Sequence, residues 1–338
     1  MSLPDERALL ERIASWPDRE QALAFVLQTW GSSPRPVGSL LAISASGAFE
    51  GSVSGGCVEN AVIDEAADVM RSGIPKRLSY GVSDESAWEI GLPCGGTIEV
   101  LVLKAAGPKF GQTLLDATPV TLVARTDTGE IGLCTASSWS GPLSTDDALR
   151  EISLKLLRSG ESRLEVLGRN EYFLRPFTRP WRLVVVGAAH IAQPLAAMAH
   201  DAGFDVVSID PRRGYATEPR FPAVDLVHEW PDTALPDLAL DERSAVITLS
   251  HDPKIDDPAL NAALDSPAFY IGALGSRRNH KHRLERLAAG GREATELTRI
   301  RGPVGLDIGG NHPHEIAISI LAEIIAVRNG KPLGAITN

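Results

Sequence analysis

The chain has 338 residues, 43% hydrophobic and 22% charged, enough for two cores rather than one. No stretch approaches the roughly 20 uninterrupted apolar residues of a membrane span, and the charged start MSLPDERALLERIASWPDRE does not read as a secretory signal, so a cytoplasmic protein with no membrane partner is expected. Lys and Arg number 33 against 43 Asp and Glu, a formal charge of -10 that disfavours nucleic acid as a partner, and the cysteines Cys57, Cys94 and Cys134 are too few for a disulfide framework or a four-thiolate metal site.

Residues 9–27 carry apolar side chains at helical spacing, interrupted by the turn residues of 31–36. Residues 37–43 and 49–53 read as strands joined across Ala45-Ser46-Gly47. Ser54-Gly55-Gly56-Cys57 leads into a helix whose Val58, Ala61, Val62, Ala66 and Val69 fall mostly on one face, and Gly73 before Pro75 supplies its stop. Strands follow at 97–103, 120–125 and 131–135, then a helix at 149–157 with Ser144 or Thr145 as its expected N-cap, then short strands at 161–167 and 171–174. Pro176 and Pro180 mark a boundary. Beyond it, apolar strand runs at 183–186, 206–209, 245–249 and 269–271 alternate with helical stretches at 190–202, 258–264 and 278–289, and a last helix covers 316–327. The expected class is α/β: a small α+β domain over residues 1–175, then a Rossmann-like doubly wound parallel sheet over residues 181–338.

Four segments carry candidate chemistry. Val186-Gly187-Ala188-Ala189-His190 is a strand-to-helix glycine turn, and Asp210 closes the next strand, the layout in which helix amides face a pyrophosphate and the later acid holds a ribose hydroxyl. Ala189 stands where such turns carry a second glycine, so NAD(P) is a doubtful ligand, and a fold without a dinucleotide is the bland reading. Cys57 and Cys94 lie beside Gly55-Gly56 and Gly95-Gly96, where backbone is open to a ligand and a helix start favours a thiolate, although buried cysteines with turn glycines would look the same. Cys134, in a plain strand, reads as packing. Ser276, Arg277 and Arg278 open the strongest basic cluster, either an anion site or a solvated helix face. His251, after the 245–249 strand, is either a proton donor or a loop-stabilising residue, with Asp252 or Asp256 beside it. His312 and His314 lack a near third metal ligand and read as helix capping, and Asp307 is an acidic loop contact.

The segments 31–38, Gly55-Gly56-Cys57-Val58-Glu59, Pro93-Cys94-Gly95-Gly96, 186–192, 249–252, 271–278 and 302–309 together resemble the XdhC/CoxI proteins, accessory factors of molybdenum hydroxylases. The resemblance implies a chaperone, more an accessory factor than an enzyme, that binds the molybdenum cofactor (molybdopterin). It would protect the cofactor while a cysteine desulfurase or sulfurtransferase installs the terminal sulfur, and deliver it to an apo molybdenum hydroxylase of the xanthine dehydrogenase type. A homodimer is also implied. Soft sulfur ligands suit molybdenum, which makes Cys57 and Cys94 candidate metal contacts. With them, Arg35, Gly55, Gly56, Gly95, Gly187, Asp210, Ser276, Arg277 and Asp307 are the candidate cofactor-binding residues. His251, Cys57 and Cys94 are the candidates for any catalytic role. The alternative function is an NAD(P)-dependent oxidoreductase using Asp210 and His251.

Overall fold

The computed structural model describes residues 6–17, 20–31, 35–56, 58–81, 96–105 and 109–331. The chain divides into two compact units, Met1–Arg179 and Pro180–Asn338.

The first unit runs α1 (Glu6–Ala14), β1 (Gln21–Trp30), β2 (Leu40–Ser44), β3 (Phe49–Gly51), α2 (Glu59–Ser72), β4 (Lys76–Tyr80), β5 (Thr97–Lys104) and α3 (Phe110–Ala117). It continues with β6 (Val120–Arg125), β7 (Ile131–Cys134), β8 (Trp139–Ser140), α4 (Asp147–Ser159), β9 (Arg163–Leu167) and β10 (Asn170–Phe177). These strands make two antiparallel five-stranded sheets, ordered β3-β2-β1-β5-β4 and β8-β7-β6-β10-β9. The alternation of side chains along β1 explains the layering. Ala22, Ala24 and Val26 face α2, whose Val62, Ala66 and Val69 are buried against them. Leu23, Phe25 and Leu27 face the second sheet and its Phe173 and Phe177, with the Phe25 and Phe173 rings 5.5 Å apart. On the far side of the second sheet, Leu149 and Leu156 of α4 cover Val123 and Leu174.

The helix expected over 9–27 is therefore wrong in its second half, which is a ten-residue strand. Sandwiched between α2 and the second sheet, β1 is apolar on both faces, and a strand buried on both faces has no period to distinguish it from a helix. The cap of α4 also differs: Asp146, not Ser144 or Thr145, accepts from the amides of Ala148 and Leu149 at 3.0 and 3.1 Å. Gly73 ends α2 in the left-handed conformation, as its position before Pro75 implies. Cys134 is fully buried, and that burial pushes its thiol up and away from reactivity.

One buried cation ties this unit together. Arg175 of β10, 3% exposed, donates to the carbonyls of Gly38, at 2.7 Å, and Pro176, pairs with the Glu6 carboxylate of α1, and lies 4.6 Å from the centre of the Phe177 ring.

The second unit contains β11 (Trp181–Val186), α5 (Ala192–Asp201), β12 (Phe204–Ile209), β13 (Asp225–Val227), α6 (Pro231–Asp237), β14 (Ser244–Thr248) and α7 (Pro253–Leu264). It closes with β15 (Tyr270–Ala273), α8 (Arg277–Ala289), α9 (Ala294–Leu297), β16 (Ile300–Arg301) and α10 (Pro313–Arg328). Its six strands are all parallel, in the order β13-β12-β11-β14-β15-β16. Helices α5 and α10 pack on one face through Leu195, Ile320 and Ile324, and α7 on the other through Ile255, Ala259 and Leu260. This is the doubly wound sheet the alternating apolar runs predict, with short edge strands β13 and β16 added. The order reverses direction between β11 and β14, and such a switch point opens a ligand crevice at the carboxyl ends of the strands.

Candidate functional site

In the first unit the site forms on the loop that leaves β3 and enters α2. Gly55 and Gly56 are exposed and adopt φ values of 80° and 114°, a region that side chains disfavour. Glu59, the first residue of α2, reaches back into this loop and is 7% exposed. Its Oε1 accepts from Ser52 Oγ at 2.6 Å and from the amides of Val53 and Ser54 at 3.1 and 2.9 Å. Its Oε2 accepts from Ser54 Oγ and from the Gly56 amide at 2.9 Å. Burial alone would raise the carboxyl pKa, but the hydrogen bonds from Ser52 and Ser54 together outweigh it and hold the group at about 2. Ser54 Oγ also accepts from the Val58 amide at 2.9 Å, and Val58 is fully buried. The Gly56 and Val58 amides are thus both hydrogen-bonded within the loop. Arg35 joins the cluster through Ser52, whose carbonyl accepts from Arg35 Nε at 3.4 Å. Cys57, Cys94 and Gly95 lie outside the described residues.

In the second unit the remaining candidates line the carboxyl edge of the sheet. Gly187 follows β11 with φ 98°, and a Cβ there would sit 2.6 Å from the Ser250 amide nitrogen, so only glycine lets the two turns touch. Asp210 follows β12, fully buried, and its carboxylate is already engaged. Oδ2 accepts from the Ala188 amide at 2.8 Å, and both oxygens accept from the Arg212 guanidinium at 2.8 and 2.7 Å. Burial acts against its charge, yet the Arg212 side chain and the Ala188 amide outweigh it and hold the carboxyl below its usual range. A residue placed to hold a ribose hydroxyl instead locks the glycine turn to an arginine.

His251 is exposed at φ 60° on the loop after β14, between Ser250, which donates to Asp256 at 2.6 Å, and Asp252, which caps α7. Ser276 caps α8 by accepting from the Asn279 amide at 3.2 Å, with Arg277 exposed beside it. Beneath them Arg283, 5% exposed, donates to the Leu274 carbonyl at 2.8 Å and lies 3.7 Å from Asp256, whose carboxyl burial pushes upward. Asp307 is exposed on the loop after β16, a loop tied to α10 where Glu323 accepts from the Gly305 amide at 2.6 Å and from Tyr270 at 2.7 Å. His312 caps α10, as expected, with Glu315 completing a capping box. Among the described residues no group of acidic, histidine or cysteine side chains is arranged to hold a metal ion.

The candidate residues therefore fall into two sets, one around the 52–59 loop and one along a parallel-sheet edge. Sequence reasoning alone misses Glu59 as a site residue although it stands in the Gly-Gly-Cys-Val-Glu segment, and misses Arg212 two residues after Asp210. The signals that could find them are two serines and two glycines before a helix-starting acid, and an arginine closely following an acid at a strand end.

Fold and site define a protein that joins a double-sheet module with an ordered Ser-Gly-Gly turn to a Rossmann domain whose crevice lies at the β11/β14 switch point. Residues 17–81 match the family model described as the XdhC and CoxI family, and residues 183–324 match the XdhC Rossmann domain. The chain is 32% identical over 311 residues to the molybdenum cofactor insertion chaperone PaoD of Escherichia coli, covering 90% of this chain and 83% of that protein. It is 29% identical over 326 residues to a probable xanthine dehydrogenase subunit of Bacillus subtilis, covering 92% and 94%. A crystal structure described as a xanthine dehydrogenase from Bacillus halodurans superposes with a TM-score of 0.76 at 26% identity, over 98% of this chain and 97% of that one. The chain belongs to the XdhC and CoxI family. Among its described residues no helix is long and apolar enough to cross a membrane.

Proposed function

We propose that this protein is a molybdenum cofactor chaperone that carries the cofactor as cargo, shields it while a sulfurtransferase supplies the terminal sulfur, and hands it to an apo molybdenum hydroxylase of the xanthine dehydrogenase type. The observation that carries this reading is its 32% identity, over nine-tenths of its length, to a molybdenum cofactor insertion chaperone. The 52–59 loop supports it chemically. A thiolate at Cys57 is a soft ligand suited to molybdenum, and the loop's exposed backbone at Gly55 and Gly56 leaves room for a planar ligand to approach. Arg35, linked to the same loop through Ser52, supplies a cation for an anionic group of the cargo. The protein acts in the cytoplasm as a homodimer on this reading, and Cys94 with Gly95 contributes a second thiol. The engaged carboxylate of Asp210 speaks against its holding the free ribose hydroxyl of NAD in the Rossmann domain.

The test is cofactor retention. Protein isolated from cells that make the cofactor is expected to carry molybdenum and pterin in equal amounts, measured by elemental analysis and by fluorescence of the oxidised pterin, and to activate an apo hydroxylase. Cys57→Ala is expected to lose at least tenfold of the bound molybdenum while keeping the fold by circular dichroism. Wild-type protein without pterin, or a Cys57→Ala protein that loads and delivers normally, would sink the proposal.

A further inference from the structure

The β12 end of the Rossmann crevice carries a cluster that the molybdenum reading does not use. Around the turn after β12, Arg212, Arg213 and Arg220 stand among Asp210, Glu218 and Asp225, and Arg212 pairs with Asp210. Arg212 stacks on Tyr215, its guanidinium carbon 4.2 Å from the ring centre, and Arg220 lies 5.9 Å from the same ring. Tyr215 is nevertheless 44% exposed, so an aromatic surface flanked by cations stays open to solvent. The hydrogen bonds of Arg220 go to backbone carbonyls, Tyr215 at 2.8 Å and Ala188 at 3.3 Å, so among the described residues no carboxylate neutralises it.

These residues sit at the mouth of the glycine turn. Arg212 grips the Ala188 amide through Asp210, and Arg220 grips the Ala188 carbonyl directly. In dinucleotide-binding domains this end of the second strand meets a ribose, with an acid for a free hydroxyl or an arginine for a phosphate. Here the acid is consumed by Arg212, which leaves a guanidinium that donates to an anion in place of an acceptor for a hydroxyl.

We infer that the Rossmann domain binds a nucleoside phosphate at this corner, its base stacked on Tyr215 and its phosphate held by Arg212 and Arg220. This inference does not depend on the molybdenum reading. The shared chemistry is a ribonucleoside with a phosphate on its sugar, and two sources supply it: a 2′-phosphorylated adenosine, as in NADPH, or a 5′-nucleotide, free or as the tail of a larger cofactor.

Calorimetric titration of the full chain distinguishes them. Adenosine 2′,5′-bisphosphate, the four common ribonucleoside 5′-monophosphates and the corresponding nucleosides are the probes. Binding of the bisphosphate at least tenfold tighter than AMP assigns the 2′-phosphate source, and tight binding of a 5′-monophosphate assigns the other. In either case the matching nucleoside is expected to bind at least tenfold more weakly. Tyr215→Ala, at an exposed position, is expected to weaken binding by about tenfold through lost stacking, and Arg220→Gln by about tenfold through the lost charge-assisted contact. Arg212→Lys keeps a cation beside Asp210 and is expected to weaken binding without unfolding the protein. No binding by any phosphorylated probe, or equal binding of nucleoside and nucleotide, would overturn the inference. So would unchanged affinity in both Tyr215→Ala and Arg220→Gln. Cys57→Ala is expected to bind nucleotide as wild type does, so failure of cofactor retention leaves this result standing.

Discussion

Arg175→Met is expected to destabilise the first unit by about 3–5 kcal/mol, because it leaves the Glu6 carboxylate buried without its partner. Arg175 and Glu6 have side chains only 4% and 9% exposed, so water cannot replace the lost contact. The Gly38 carbonyl loses its donor as well. Removing both charges tests the cause. Glu6→Leu combined with Arg175→Met should recover about half of the loss or more, since a paired charge replaced by apolar groups of similar volume is often nearly neutral. Chemical denaturation followed by tryptophan fluorescence measures both variants. A double variant no more stable than Arg175→Met would show that the arginine acts through packing on Phe177 rather than through the ion pair.

Glu59→Gln is expected to lower the melting temperature by about 5–10 °C at neutral pH, a loss of about 2–3 kcal/mol in the unit that contains the 52–59 loop. Glutamine fills the same space but turns one oxygen into a donor, facing amides and hydroxyls that also donate. The pH dependence identifies the mechanism. The Glu59 carboxyl stands at about 2 in the folded protein against 4.5 ordinarily, worth about 3 kcal/mol at pH 7. Because the folded value is the lower one, the unfolded chain takes up the proton first. The stabilisation is present above pH 4.5 and is lost as pH falls towards 2. The gap between wild type and Glu59→Gln should therefore narrow by roughly 1 kcal/mol between about pH 7 and about pH 3.5. Hydrogen exchange supplies an independent readout: the Val53, Ser54 and Gly56 amides should exchange at least tenfold faster in the variant. A gap that stays constant with pH, or unchanged protection of those three amides, would refute the anchoring role of Glu59.

Local pattern makes some of this legible in advance. The runs at 183–186, 206–209 and 245–249 are apolar without alternation, as strands covered on both sides must be, and they form β11, β12 and β14 of a parallel sheet. Gly73 before Pro75 and His312 before Pro313 mark helix ends through backbone preferences that act over a few residues. The glycine turns show where backbone comes close to something else, and Gly187 does meet Ser250.

The misreadings share one cause. The same lack of period that marks a doubly buried strand hides β1 inside a helical pattern, because its second cover, the sheet built from β6 to β10, comes from far along the chain. Asp210 is readable as an acid after a strand, which is a property of position. Its charge partner Arg212 and its grip on Ala188 depend on two turns meeting in space. Glu59 is likewise visible as a residue near a cysteine, but hydrogen-bond acceptors have no periodicity, and only the folded loop gathers the donors of Ser52, Val53, Ser54 and Gly56 around one carboxylate. Strands, helix ends and glycine turns follow from short-range sterics and burial, so they are written in neighbouring residues. Which polar group is spent holding the fold, and which is left to meet a ligand, is decided by contacts that form only when distant segments pack.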